Sequence, residues 1–171
     1  MKPLFTLKKE NSKIFNNEII KYNDHPKRKK LPEKIIPKIN CKRGEVLHCS
    51  SIHPGRIFKA LKSVFPEGNR SVKFFKIPIG RLKGFDLVYF DMNRPGYDFE
   101  RGKDPESSYD LIEPDLYKEV KEVPTEALSF YRAWKEGGAK SAPAFGKIPH
   151  VFIRGEVLVD GLEVIDWCDS K

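Results

Sequence analysis

The sequence predicts an α+β fold: a single domain with a mixed or antiparallel sheet and two or three helices. Three observations predict it. Ile57, Ala60, Leu61 and Val64 recur at i, i+3, i+4 and i+7, the spacing of one helical face. Apolar runs at 46–49, 71–80 and 85–90 have the length and the Phe, Val and Ile content of strands. Asp160-Gly161 between two apolar segments is a strong hairpin signal, because both turn positions take positive φ. With 171 residues, 39% of them hydrophobic, the chain can bury one core.

Residues 1–45 read as a basic, proline-containing arm laid on a body of residues 46–171. Apolar pairs (Ile14-Phe15, Ile19-Ile20, Ile35-Ile36) are set among lysines, and prolines at 26, 32 and 37 exclude a long helix across the second half. The arm is expected to be extended. Its Lys27-Arg28-Lys29-Lys30 run has the form of a nucleic-acid or nuclear-localisation patch, although such short runs are more often solvated loop.

Glu45–Cys49 reads as a short strand. Pro54 then opens a helix, since proline suits the first helical position. Arg56, Lys59 and Lys62 lie off its apolar face and make the exposed side basic, and Pro66-Glu67-Gly68-Asn69 ends it. The strand 71–80 and the nearly continuous apolar strand Phe85–Phe90 are separated by Gly80–Gly84, a connection of hairpin length. The heart of the fold is therefore expected to be β-α-β-β. Asn93–Ser108 is a polar loop of unusual length, which points to function or disorder. Glu113–Val123 is expected as a short helix. Pro124–Glu136 is a better one, with Ala127 or Leu128, Tyr131 and Trp134 on one face and Gly137-Gly138 closing it. The C-terminal HVFI-RG-EVLV-DG-LEVIDW is expected to add a hairpin or three-stranded meander.

Charge is unevenly divided. Residues 1–85 hold 21 basic and 6 acidic side chains, and residues 86–171 hold 11 and 18, so +15 and −7 make up the net +8. A basic face that favours an acidic partner follows, whether nucleic acid or protein. No apolar stretch reaches the roughly 18–20 residues of a membrane span, and Leu4–Leu7 is too short for a signal peptide. Three cysteines make no disulfide framework and fit a reducing compartment. A cytoplasmic protein with no membrane partner is expected.

Four constellations could carry chemistry. Cys41-x6-His48-Cys49-x3-His53 contains zinc-ligand types, but His48 and Cys49 are neighbours on a strand and point to opposite faces. Cys49 with His53 or His150 could pair a thiol with a base, yet no family-type flank surrounds it. Asp86, Asp91, Asp98 and Glu100 could hold a metal as in a nuclease, but no lysine follows at nuclease-like spacing. The lysines and arginines of the arm, of the helix at 56–62 and of Arg70, Lys73, Lys76, Arg81 and Lys83 could neutralise phosphates. No cofactor or metal is assigned.

Two segments resemble known families. IPHVFIRGE (148–156) resembles the cis-proline strand of glutaredoxins and thioredoxins, but no C-x-x-C accompanies it and no redox role is drawn from it. Residues 46–92 run from an amphipathic helix ending VFPEGN, through VKFFKIPIGRLKGFDLVYFDMN, to a long polar loop, with FYRAWKE (130–136) beyond. This order resembles the immunity proteins that bacteria encode beside polymorphic or contact-dependent toxins. The resemblance implies a non-enzymatic protein that binds one toxin and occludes its active site. It carries no binding residues with it. On physical grounds the candidate surface is Arg94, Tyr97, Phe99 and Arg101 in the long loop, since aromatics and arginine anchor interfaces, together with the basic Arg56, Lys59 and Lys62. The expected function is toxin neutralisation through an acidic protein partner. The alternative is a nucleic-acid-binding accessory protein, and the third reading is a small enzyme such as a nuclease.

Overall fold

Among the described residues, eight short strands form three antiparallel sheets, and five helices pack around them. The computed structural model describes residues 1–23, 26–67 and 71–169. In chain order the elements are α1 (Leu4–Glu10), α2 (Ser12–Ile19), α3 (Pro26–Lys29), β1 (Ile35–Ile36), β2 (Cys41–Lys42), β3 (Val46–Ser50), α4 (Pro54–Val64), β4 (Lys73–Lys76), β5 (Asp86–Phe90), β6 (Tyr109–Leu111), α5 (Thr125–Glu136), β7 (His150–Arg154) and β8 (Glu163–Asp166). The central sheet has the order β3-β7-β5-β6, and β1-β2 and β4-β8 are separate pairs. The single α+β domain with antiparallel sheets is as the sequence predicts.

Strand alternation places two cores on opposite faces of the central sheet. Val46, Val88, Phe90, Tyr109 and Phe152 meet Ile36 and Cys41 on one face. Leu47, Leu87, Val151 and Ile153 meet Leu82 and Val157 on the other. A third cluster joins Ile57 and Val64 of α4 to Ala127 and Tyr131 of α5. Full burial of a side chain such as Ile57 contributes about 1.5–3 kcal/mol, so this face holds the two helices together. The helical face at Ile57, Leu61 and Val64 is as read, and α4 stops at Val64 just before Pro66. The Gly68-Asn69 part of that stop, and Arg70, lie outside the described residues. In α5, Ala127 and Tyr131 face inward, but Trp134 is exposed and packs on Phe130 instead.

Several expectations are corrected. The arm is not extended: it forms α1 and α2, and Pro26, Pro32 and Pro37 each sit in the first turn of a short helix, where the missing N–H costs nothing. Ile36 and Cys41 from this segment are fully in the core. The hairpin between 71–80 and 85–90 does not form. β4 ends at Lys76, Pro78 cannot donate to a ladder, and the chain turns so that Ile77, Ile79 and Leu82 reach the Leu87 cluster. β4 pairs instead with β8, Phe74 opposite Ile165. The C-terminal meander is absent for the same reason. A turn is present at Asp160-Gly161, with Leu162 N–H donating to Val159 O, but only Gly161 (φ +70) and not Asp160 takes the positive φ expected of both, and the strand after it goes to β4. Residues 113–123 are not helical: an irregular path lets Tyr117 join one core while Val120 and Val123 join another, which one helical stripe would prevent. No described peptide bond is cis, so Pro149 is trans.

Candidate functional site

The loop 93–108 lacks helix and strand apart from a 3-10 turn at Glu106–Ser108 and a single bridge between Asp98 and Lys103. It is nevertheless held from beneath. Arg43, only 6% exposed, donates from Nη2 to Asp104 Oδ2 at 2.9 Å and to the Tyr109 hydroxyl at 2.5 Å. Tyr109 in turn donates to Asp104 Oδ1 at 2.8 Å, and the Arg43 guanidinium lies 4.5 Å from the Phe90 ring centre. Around this centre Lys34 reaches Asp104 at 3.6 Å, Lys38 reaches Glu106 at 2.7 Å, and Lys27 reaches Glu100 at 3.2 Å. Three carboxylates of the loop, Glu100, Asp104 and Glu106, are thus paired with lysines or the arginine of the arm.

Of the four loop residues expected to anchor a partner, two are used internally. Arg94 donates to Ser107 O at 2.7 Å and pairs with Asp110, which holds the Asp110 carboxyl below its ordinary range. Tyr97 packs edge-on against Phe90 at 5.6 Å, and burial pushes its hydroxyl pKa up. Phe99 is half-buried, and Arg101 projects outward with a 3.6 Å approach to Asp98. On α4, Arg56 donates to Lys121 O, Lys59 is exposed, and Lys62 lies 5.9 Å from the Phe58 ring centre. No hydrogen bond or ion pair joins this face to the loop among the described residues.

The residues considered for chemistry are scattered. His48 packs on Phe152 and Cys49 belongs to the opposite core, so the two diverge as strand geometry requires, while Cys41 is buried on β2. His53 caps α4, its Nδ1 accepting the Gly55 N–H at 3.2 Å. Burial pushes the Cys49 thiol to about 11, far from the thiolate that a nucleophile needs. Asp86 pairs with Arg154 at one end of β5, and Asp91 accepts the Asn93 N–H at the other. Asp98 accepts the Arg101 N–H, and Glu100 faces Lys27. Among the described residues no group of three or more His, Cys, Asp or Glu could hold a metal ion, and no helix is long and apolar enough to cross a membrane.

Two features escaped the sequence reading. The Arg43–Asp104–Tyr109 cluster spans 66 residues and leaves no local signal. A cavity of about 610 Å³ at the C-terminal end of β3 is built from seven separated stretches of chain, none of which announces a concavity. Compared with protein-family models, curated proteins and solved structures, the chain matches none.

Proposed function

We propose that the chain is a non-enzymatic binding protein of the toxin-immunity type, which neutralises a cognate bacterial toxin by direct contact. The loop 93–108 carries the reading. It has almost no regular structure, yet the buried Arg43–Asp104–Tyr109 cluster and the Lys27–Glu100 and Lys38–Glu106 pairs hold it in one shape. A preorganised loop loses little entropy on binding, and functional loops are commonly carried in this way on a rigid scaffold. Phe99 and Arg101 supply the residue types that anchor interfaces. The separate engagement of Cys49, His53 and the carboxylates also supports binding over turnover. Co-expression with the product of the neighbouring gene tests the proposal. The expected result is restored growth and a co-purifying one-to-one complex, both weakened when Phe99→Ala and Arg101→Ala are combined. Unchanged killing with no complex overturns it.

A second reading, nucleic-acid binding, draws on the basic side of α4, where Arg56, Lys59 and Lys62 have no acidic partner within ion-pair distance among the described residues. It requires affinity for a mixed-sequence duplex or single strand that falls steeply as salt rises, because phosphate contacts release counterions. Absence of binding at low salt removes it.

A further inference from the structure

The cavity beside β3 is separate from the loop surface and has its own chemistry. Its walls are mostly apolar, with Ile52, Phe74, Ile77, Phe145, Val151 and Ile165 drawn from both sides. A void left by one large core side chain is on the order of 150 Å³, stays dry and accepts a benzene. The volume here, about 610 Å³, is several times that. It falls within the roughly 300–1,000 Å³ of small-molecule sites, and it is too large for one inserted side chain to fill.

The polar groups on the lining are nearly all satisfied from within. Ser50 Oγ donates to Ile52 O at 2.8 Å, Ser51 Oγ to Pro149 O at 2.9 Å, and the Tyr117 hydroxyl to Ser51 O at 3.5 Å. The start of α4 offers no anion site, since the Gly55 N–H is taken by His53 Nδ1 and the Arg56 N–H by His53 O. With Nδ1 accepting, the ring proton of His53 sits on Nε2, so the ring offers a donor. At the rim the ammonium of Lys76 is bound to Glu163 at 2.9 Å, and Glu119 adds a second carboxylate. An anionic head group would therefore meet a neutralised lysine, the Glu119 carboxylate and a Met1 ammonium already turned to Val157 O.

We infer that this cavity is a binding site for an uncharged, largely apolar small molecule, aromatic or branched aliphatic, that carries a hydrogen-bond acceptor for His53. Ligand at this site fills an apolar void and contributes dispersion contacts that the empty walls lack.

The probe is 6-propionyl-2-dimethylaminonaphthalene, a neutral fluorophore with a ketone acceptor. It should bind saturably at one site, with blue-shifted emission. The anionic 8-anilinonaphthalene-1-sulfonate should bind at least about tenfold more weakly, and 2-dimethylaminonaphthalene, which lacks the ketone, should also bind more weakly. Ile77→Trp, which takes up part of the cavity, should weaken the neutral probe by about tenfold or more, while Leu158→Trp at an exposed position outside the cavity leaves it unchanged. Should Ile77→Trp fail to fold, the unaltered chain decides: bound probe should slow alkylation of Cys49, which lines the cavity, and not of exposed Cys168. No saturable binding, or binding that neither responds to Ile77→Trp nor protects Cys49, overturns the site. Tighter binding of the sulfonate overturns the uncharged class.

Discussion

Arg43 and Asp104 meet in the interior at 2.9 Å, with their side chains only 6% and 11% exposed, and Tyr109 closes the triangle. One partner comes from the N-terminal segment and the other from the long loop, so one buried pair fastens the irregular loop to that segment. Desolvation offsets most of the attraction within such a pair, but removing one member leaves a buried charge uncompensated. Asp104→Ala is therefore expected to cost about 3–5 kcal/mol in urea unfolding. Replacing both members, Arg43→Met with Asp104→Leu, should cost less than the single change. A loss under about 1 kcal/mol for Asp104→Ala would show that something else holds the loop.

The outer pairs of the same surface should behave differently. Lys38 and Glu106 are 2.7 Å apart but 33% and 63% exposed. Water screens them and their side chains lose entropy on pairing, so a double-mutant cycle should return a coupling of about 0.2–1 kcal/mol that shrinks in high salt. A salt-insensitive coupling as large as the Arg43 effect would contradict the exposed geometry.

What the sequence revealed and what it hid divide by range. The helix at Pro54–Val64 was legible because Ile57, Leu61 and Val64 repeat every three to four residues, a pattern contained within one element. β5 was legible as an inner strand from its nearly continuous apolar run. Strand partnership was not, since the period of two assigns faces but not neighbours. Phe74 faces Ile165 across about ninety residues of chain, and nothing local marks the match. The same holds for Arg43 and Asp104: both read as surface charges until the fold brings them together beneath the loop. Tyr97, assigned as an interface anchor because aromatics on loops often are, is drawn inward by the Phe90 ring.

Gly44 tests how α1 is seated. It is buried, and a Cβ placed on it would lie 2.6 Å from the ring of Phe5. The ring belongs to a seven-residue helix rather than to the sheet, so α1 should give way first. Gly44→Ala is expected to cost about 1–3 kcal/mol and to speed proteolytic cleavage within residues 1–23. Phe5→Leu should recover part of the loss by making room. Unchanged stability and unchanged cleavage of Gly44→Ala would mean that α1 does not rest on this glycine.

His150 predicts the response to acid. Its ring lies near those of Phe90 and Phe152, and its Nδ1 is buried with no hydrogen-bond partner among the described residues. Burial foremost, then the nearby His48 and Arg43, pushes its pKa from 6.5 down to about 4. The unfolded chain then binds this proton near pH 6.5 and the folded chain only near pH 4. Stability from this group is complete above about pH 6.5 and is lost as pH falls toward about 4, an effect on the order of 3 kcal/mol. His48, also lowered chiefly by burial, acts in the same direction and leaves a residual slope. His150→Leu gives up only the imidazole's bond to the Ile148 backbone, so it should cost little at pH 7 and should be more stable than the parent at pH 4.5. Urea unfolding at the two pH values checks this. Equal losses in both proteins on acidification would assign the acid sensitivity to other groups.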